Sequence, residues 1–351
     1  AQLYHRADHR RRRRHFDPGA RLMDKDSKAG TETVWFDDFA TGFHIGADGR
    51  AAQWKPLEAG AFRPADAIIT TGDDGLTVIP KGIHPQSGEP AFTQTRAPAP
   101  PDAEIPGVLD HVKWFASVDR QSSGGLPGFD PPSGKTIHVE TLMSGRTYGT
   151  EGHPFGDAVG DPLNDIRLAA PAMFNLDQES NIVFGFFLTN RGIFAAYERA
   201  PFARASFGHY AAFSFGLQVG ARARDDWHQL AISYDRASNT ARWFVDGKLA
   251  LEIDRVGRRL DRRHMIIDVG GEEQEVRLNQ LQCGFGLYTL LDGSLDGGPG
   301  LVDLYGYPMF FDTARGEPHR QDYVDRDSRP TSRLFGQGAE LKSRWHSVSY
   351  R

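Results

Sequence analysis

Apolar and polar residues alternate with a period of two along much of this chain. The segment WHQLAISYD, residues 227–235, places its large apolar side chains on one face of an extended strand. After the turn residues ASN, the segment TARWFVDGKLALEID alternates again, and it is interrupted by Asp246-Gly247. Asp-Gly favours the positive φ angles of a type I′ hairpin turn. We therefore predict a three-stranded antiparallel meander over residues 225–254.

The same pattern predicts further strands and little helix. The segment AIITTGDDGLTVIP indicates a hairpin around Asp73-Asp74-Gly75, and KTIHVETLMSG, residues 135–145, indicates one long strand. Residues 183–204 contain two predicted strands around the turn at 189–192. Proline- and glycine-rich stretches predict long loops at 83–106 and 122–134, and a Gly/Asp-rich turn at 291–300. Many strands with short turns and no long amphipathic segment are typical of a β-sandwich or jelly roll.

Composition supports a folded core and narrows the choice of partners. The 351 residues include 23 Phe, 10 Tyr and 6 Trp, enough for a large apolar interior. A net charge of −5 argues against nucleic acid as a partner of the protein body. Cys283 is the sole cysteine, which excludes an intrachain disulfide and a cysteine-based zinc site. Its apolar neighbours predict a buried structural thiol.

The first 30 residues differ from the rest. They are polar and contain five consecutive arginines at positions 10–14. We interpret residues 1–30 as a solvated basic arm, or one docked on acidic surface of the body; an anchor to an anionic partner is the alternative. No signal peptide or membrane-spanning run is visible, so we expect a cytoplasmic protein with no membrane partner.

Several segments resemble one superfamily. The Trp227-His228 strand start and the W-x-V-D-G-K pattern at 243–248 are similar to strands of the concanavalin A-like lectin/glucanase (laminin-G-like) superfamily. VWFDDFATGF resembles its opening strand, and GPGLVDLYGYPMFFD its closing strands. The middle of the chain is similar to an uncharacterised bacterial family with that fold. The resemblance implies one concanavalin A-like sandwich over residues 31–351.

The resemblance implies a fold but no single activity, because lectins, hydrolases, lyases and adhesion modules share it. Retaining glucanases of this fold carry two glutamates and an aspartate on one strand, in the pattern E-x-D-x-(x)-E. The nearest match, Glu252-Ile253-Asp254, lacks the second glutamate, so we predict ordinary surface charges there. Phosphate-binding loops, G-x-S-x-G and H-E-x-x-H are also absent.

Two strands and the loop between them carry the candidate chemistry. The polar face of the strand at 137–149 holds His138 and Glu140, and the strand at 194–199 ends in Tyr197-Glu198-Arg199. Burial would raise the pKa of Glu198 toward that of a general acid, whereas pairing with an arginine would lower it. A structural Glu–Arg pair is the alternative reading.

The intervening loop, residues 146–169, holds further ionisable residues among glycines, and long ordered loops often carry function. Pro154 restricts the residue before it, so we expect His153 to be held in place. The acidic residues of the loop suggest Ca²⁺ as an alternative to our expectation of no cofactor and no metal, although their spacing matches no EF-hand.

Together these observations predict an enzyme using acid–base chemistry, lyase- or hydrolase-like, on a sugar, glycoside or similar polar molecule. A cyclase or isomerase of a hydrophobic metabolite, and a non-catalytic carbohydrate-binding protein, are the alternatives. A deep charged cleft would favour the first, a deep apolar cleft the second, and a shallow aromatic one the third. We expect Glu140 and Glu198 to meet in one cleft. The predicted catalytic residues are Glu140, Tyr148, His153, Tyr197 and Glu198, and the predicted substrate-binding residues are His138, Arg146, Arg167 and Arg199.

Overall fold

The computed structural model describes residues 30–47, 49–97, 107–304, 310–313, 315 and 318–351. The predicted basic arm therefore lies outside the described residues, apart from Gly30, as do residues 98–106 of the proline-rich loop. The described strands are β1 (Glu32–Asp37), β2 (Trp54–Pro56), β3 (Ile68–Gly72), β4 (Gly75–Ile79), β5 (Gly82–Ile83), β6 (Pro90–Ala91), β7 (Val112–Val118), β8 (Ile137–Tyr148), β9 (Ala170–Asp177), β10 (Ile182–Leu188), β11 (Gly192–Arg199), β12 (Phe213–Ala221), β13 (His228–Asp235), β14 (Thr240–Val245), β15 (Lys248–Ile253), β16 (Met265–Asp268), β17 (Gln282–Tyr288), β18 (Gly300–Val302), β19 (Tyr323–Asp325) and β20 (Gly338–Tyr350).

Helices are few and short. The α-helices are α1 (Arg204–Phe207) and α2 (Pro330–Arg333), and 3₁₀ turns occur at Gly107–His111, Thr150–Gly152, Gly156–Ala158, Pro201–Ala203 and Arg262–His264. Helix accounts for 8% of the structure and strand for 45%, which confirms the all-β prediction.

Two eight-stranded antiparallel sheets make up the sandwich. Sheet A has the order β15-β14-β13-β8-β20-β4-β3, with β1 pairing with another part of β20. Sheet B has the order β16-β12-β11-β10-β9-β17-β7-β2. A short parallel pair, β18 and β19, and the small hairpin β5–β6 lie outside both sheets. This is the predicted jelly-roll sandwich.

The predicted local elements are present. The meander is formed by β13, β14 and β15, and Asp246 and Gly247 have φ angles of 51° and 76°, as a type I′ turn requires. The predicted hairpin at 67–80 is β3–β4, and the predicted long strand is β8. Glu252 and Asp254 are exposed, as expected for surface charges.

The main core lies between the sheets. Inward-facing side chains of sheet A, such as Ile232 and Trp243, pack against those of sheet B, such as Phe184 and Phe285. Trp243 joins the layers directly, because its Nε1 donates to the carbonyl oxygen of Gly185 at 2.9 Å. Cys283 is fully buried there, and burial raises its pKa, as predicted for a structural thiol.

A second apolar cluster covers the face of sheet B that points away from sheet A. Its members include Phe115, Phe174, Phe187 and Tyr288. Sheet B is therefore apolar on both faces, although an antiparallel sheet commonly leaves one face to water. Among the described residues, no helix is long and apolar enough to cross a membrane.

Candidate functional site

A cleft of ≈ 400 Å³ opens on this outer face of sheet B. Most of the side chains that line it are apolar and come from sheet B and its flanking loops. They include Leu57, Leu109, Phe115, Phe174, Leu176, Val183, Phe187, Ile267, Leu290 and Phe310. Polar side chains interrupt this lining at a few points, with Glu198, Ser214, His111 and Tyr288 among them. A concave apolar pocket with a few polar groups is the usual form of a small-molecule site.

Gly286 in sheet B makes room for the aromatic ring of Tyr288 in the cleft. A Cβ at Gly286 would lie 2.1 Å from Cε2 of Tyr288 and 2.6 Å from its hydroxyl oxygen. Gly286 and Tyr288 are two residues apart on β17, so their substituents lie on the same face of the strand. The ring of Tyr288 then packs on Phe174, with centroids 4.5 Å apart.

Glu198 lies on β11 with its carboxyl group in the cleft. Its Oε1 accepts a hydrogen bond from the Ser214 hydroxyl at 2.8 Å, from the neighbouring strand β12. Burial raises the pKa of Glu198, against smaller opposing effects of the Ser214 hydrogen bond and the charge of His111. Within the described part of the chain, no Lys or Arg forms an ion pair with this carboxylate.

Arg199 does not pair with Glu198. Successive side chains on a strand point to opposite faces, and the Arg199 guanidinium donates to the Gln274 backbone carbonyl at 2.7 Å. It also lies 3.8 Å from the ring centroid of Tyr210. The alternative of a structural Glu198–Arg199 pair is therefore wrong. Arg199 is fully buried in this role.

His111 and Asp292 form a pair at the edge of the cleft. His111 ends the 3₁₀ turn before β7, and its Nε2 is hydrogen-bonded to Oδ1 of Asp292, whose side chain is buried. Burial alone would lower the pKa of His111, but the charge and hydrogen bond of Asp292 outweigh it and raise the pKa above its usual value. His111 and Glu198 are close enough for each charge to affect the other.

Tyr288 supplies a neutral hydroxyl to the same cleft. Burial, and then the charge of Glu198, raise the pKa of Tyr288 well above its ordinary value. The hydroxyl therefore stays protonated at neutral pH and can donate a hydrogen bond.

Glu140 and His138 lie on the other side of the molecule. Both are on β8 in sheet A, on the face opposite to Val139 and the core. Glu140 accepts hydrogen bonds from Gln229 and Arg351 and lies 3.7 Å from Nε2 of His138. Burial raises the pKa of Glu140, but these partners outweigh it and the net shift is downward. The predicted meeting of Glu140 and Glu198 in one cleft is therefore wrong.

Tyr148 and Arg146 lie at the end of the same strand. The Tyr148 hydroxyl donates to Oε2 of Glu340 at 2.9 Å, and burial together with Glu340 raises its pKa to about 12. Arg146 forms an ion pair with Asp225 and lies 3.7 Å from Glu340. These residues form a charged cluster on sheet A that is separate from the cleft.

His153 and Arg167 are held within the long loop. His153 Nδ1 accepts from the Phe155 amide at 3.2 Å, and the two rings are stacked, so the imidazole is held in place as predicted. Burial lowers its pKa. Arg167 is buried in an ion pair with Asp165 at 2.7 Å and donates to the carbonyl oxygen of Ala158. Neither side chain lines the cleft.

Tyr197 belongs to the core between the sheets. It is fully buried, and its hydroxyl accepts from the Gly257 amide at 2.7 Å. Its ring packs on Phe184 and Phe213. Because a ligand cannot reach this hydroxyl, the structure does not support the predicted catalytic role of Tyr197.

Two further features bear on possible ligands. A polar surface groove of ≈ 710 Å³ is lined by residues that include Ser122, Asp130, Glu179, Arg236 and Arg277. Across the described ranges, no three His, Cys, Asp or Glu side chains gather as a metal site would require. Calcium binding stays a prediction without a described ligand set.

The sequence pointed to one member of the cleft and missed others. Glu198 was identifiable because it ends an apolar strand. His111 and Asp292 are 181 residues apart, so no local pattern joins them. Ser214 carries no recognisable sequence signal, and Asp292 lies in a glycine-rich stretch whose composition predicts only a turn.

By fold, the chain is a concanavalin A-like jelly-roll sandwich with an apolar cleft on one sheet. The chain belongs to the family of unknown function DUF6081, whose model matches residues 36–351. The bacterial family expected from the sequence is not established by this match.

A curated relative is the uncharacterized protein L829 of Acanthamoeba polyphaga mimivirus, 25% identical over 288 residues. The match covers 66% of this chain and 60% of the viral protein, so this chain spans less than two thirds of that relative.

Similar solved structures include two glucanases. The endo-1,3-beta-glucanase of Streptomyces sioyaensis is 12% identical, with a TM-score of 0.46, and the match covers 92% of this chain and 97% of that chain. The endo-beta-1,3-glucanase of Pyrococcus furiosus is 12% identical, with a TM-score of 0.40 and coverage of 91% and 94%. At this level the likeness concerns the fold alone.

Proposed function

We propose that this protein is an enzyme that binds a mostly apolar small molecule in the sheet B cleft and transfers a proton through Glu198. The observation that carries the proposal is the isolation of that carboxyl group. It lies among aromatic and aliphatic side chains and is hydrogen-bonded to Ser214, while the nearest arginine in sequence is engaged with Gln274 and Tyr210.

A carboxyl group in such surroundings suits general acid catalysis. Burial disfavours the charged form, so the proton is retained to a higher pH than on an exposed glutamate. The Ser214 hydrogen bond fixes one oxygen and leaves the other for a ligand. Perturbed acids and bases of this kind concentrate at functional sites.

The lining of the cleft favours a hydrophobic ligand over a sugar. Sugars need many hydrogen-bond partners, whereas this cleft is lined mostly by Phe, Leu, Val and Ile. Among the alternatives drawn from the sequence, this supports a cyclase or isomerase of a hydrophobic metabolite. The cytoplasmic location expected from the sequence remains a prediction.

A binding comparison tests the ligand class. Uncharged bicyclic hydrocarbons and β-linked gluco-oligosaccharides are titrated against the protein and two variants by calorimetry. Val183→Trp fills the cleft at a half-buried position, and Leu249→Trp adds the same side chain on sheet A, where Leu249 is 55% exposed. We expect bicyclic compounds to bind the wild type and Leu249→Trp, and to lose at least about tenfold in affinity with Val183→Trp.

The opposite pattern would reject the proposal. If oligosaccharides bind and Val183→Trp abolishes that binding, the cleft is a sugar site. If oligosaccharides bind equally to all three proteins, they bind outside the cleft, and the polar groove near Arg236 and Arg277 is the next site to test. The binding of the bicyclic hydrocarbons then determines whether the cleft is an apolar ligand site.

A further inference from the structure

The cleft is lined by a second ionisable side chain besides Glu198. His111 lines it, and Asp292 occupies the Nε2 side of the imidazole. Within the described residues no hydrogen bond is made by the other ring nitrogen, Nδ1, and His111 keeps 14% of its side chain exposed. A histidine held this way by a carboxylate presents its free nitrogen as a base.

The two groups differ in character and in position. Glu198 lies on β11, whereas His111 precedes β7, on the far side of β10, β9 and β17. Each charge affects the other, yet no hydrogen bond links the two side chains among the residues described. Both side chains therefore line one cleft without being bonded to each other.

Few apolar molecules offer both a site for an acid and a site for a base. A carbonyl compound does, because a hydrogen bond to its oxygen acidifies the C–H bonds on the adjacent carbon. A carboxylic acid kept neutral in an apolar site is well suited to donate that hydrogen bond.

We infer that the ligand is an apolar ketone or aldehyde whose oxygen is bound by Glu198 and whose adjacent carbon is deprotonated by His111. This rests on the proposed function and names its substrate class. Nδ1 of neutral His111 takes the proton, the C–H electron pair forms the C=C bond of an enol, and the carbonyl π pair moves to the oxygen, which receives the Glu198 proton. When the ketone carries a β,γ double bond, His111 then delivers its proton to the γ carbon, the C=C bond shifts into conjugation, and the enol O–H returns its proton to Glu198, which completes an isomerisation with no oxidant or reductant.

In this arrangement Asp292 is a positioning residue. It holds the Nε2 proton and raises the pKa of His111, so it acts through the imidazole rather than on the ligand. Its removal should lower the pH at which His111 becomes a base, which a merely structural role would not do.

Hydrogen exchange in deuterium oxide tests this without knowledge of the natural substrate. The probes are β-tetralone, a bicyclic ketone, and methyl nonyl ketone, an open-chain one; exchange at the carbons next to the carbonyl is followed by NMR. We expect the wild type to accelerate exchange of at least one probe about 100-fold over buffer. The His111→Gln and Glu198→Gln variants should each lose most of this acceleration while still binding the probe.

Two further variants complete the design. Asp292→Asn should shift the pH profile of exchange to lower pH, and Asp254→Asn, an exposed substitution just after β15, should leave the rate unchanged. Exchange that survives His111→Gln overturns the inference.

Ligand binding separates a failure of the carbonyl inference from a failure of the proposed function. If both ketones bind in the cleft, as judged by loss of binding with Val183→Trp, but neither exchanges, the carbonyl inference is wrong and the apolar cleft stands. If neither ketones nor bicyclic hydrocarbons bind, the proposed function itself fails.

Discussion

Glu198 and Arg199 are adjacent in the chain, yet their charges are engaged with different partners. Glu198 bonds to Ser214 in the cleft, and Arg199 lies over Tyr210 and donates to Gln274. The alternation of a β-strand separates them, so the arginine does not hold the glutamate in its charged form. This separation is what makes Glu198 a candidate acid.

Glu198→Gln should preserve the fold and change how stability depends on pH. Because the folded-state pKa of Glu198 is raised, its contribution is present at low pH and is lost as pH rises through that pKa. The glutamine variant should therefore match the wild type near pH 4, below the unfolded-state pKa of about 4.3, and exceed it in stability at pH 8. Urea unfolding at the two pH values measures this, with Glu252→Gln on the surface as the control.

A large loss of stability in Glu198→Gln at both pH values would show that the carboxylate holds a structural partner. The candidate acid would then have to be sought elsewhere, with His153 and Tyr148 as the remaining predicted residues.

Tyr197→Phe and Tyr288→Phe should separate a core tyrosine from a cleft tyrosine. Removal of the Tyr197 hydroxyl leaves the buried amide of Gly257 without its acceptor, so we expect a loss of about 1–3 kcal/mol. Tyr288→Phe should cost little stability, since its hydroxyl faces the cleft. Thermal unfolding gives the first comparison, and titration with β-tetralone should show weaker binding only for Tyr288→Phe.

Gly286→Ala should close part of the cleft. The new methyl group would overlap the Tyr288 ring, which must then move off its position on Phe174. We expect a destabilisation of about 1–3 kcal/mol and loss of bicyclic ligand binding. Gly160→Ala, where nothing lies within 4 Å of the new carbon, is the matched control. Unchanged ligand binding in Gly286→Ala would contradict the role given to Tyr288.

His346 should make the fold sensitive to acid. Its ring is fully buried among Trp35, Trp54 and Phe285, and burial lowers its pKa to about 3. A lowered histidine pKa means that stability is complete above the unfolded-state value of about 6.5 and falls as pH drops below it, by about 1.4 kcal/mol per pH unit.

His346→Leu removes that titration, so its stability should fall less than that of the wild type between pH 6 and pH 4. Asp177 acts in the opposite sense, since burial raises its pKa to about 6 and acidification favours its folded form. The comparison of the two proteins by urea unfolding cancels this effect. Parallel pH profiles would show that His346 does not titrate on unfolding.

The sequence predicted local structure well because local structure depends on neighbouring residues. The alternation around Leu230 and the Asp246-Gly247 turn are sufficient to define the meander. The site was predicted only in part, because the sheet that a strand joins is decided by distant partners. β8 pairs with β13 and β20, and β11 pairs with β10 and β12, which places Glu140 and Glu198 on opposite sides of the sandwich.

The position of β20 has a consequence for how the chain folds during synthesis. This strand lies inside sheet A, where it pairs with β8 on one side and with β1 and β4 on the other. The strands β8 and β13 to β15 can assemble as soon as they leave the ribosome, but β1 and the β3–β4 hairpin can join the sheet only after residues 338–350 emerge. We therefore expect early, partly assembled chains to expose unpaired strand edges, and chaperone demand to be highest just before those residues appear.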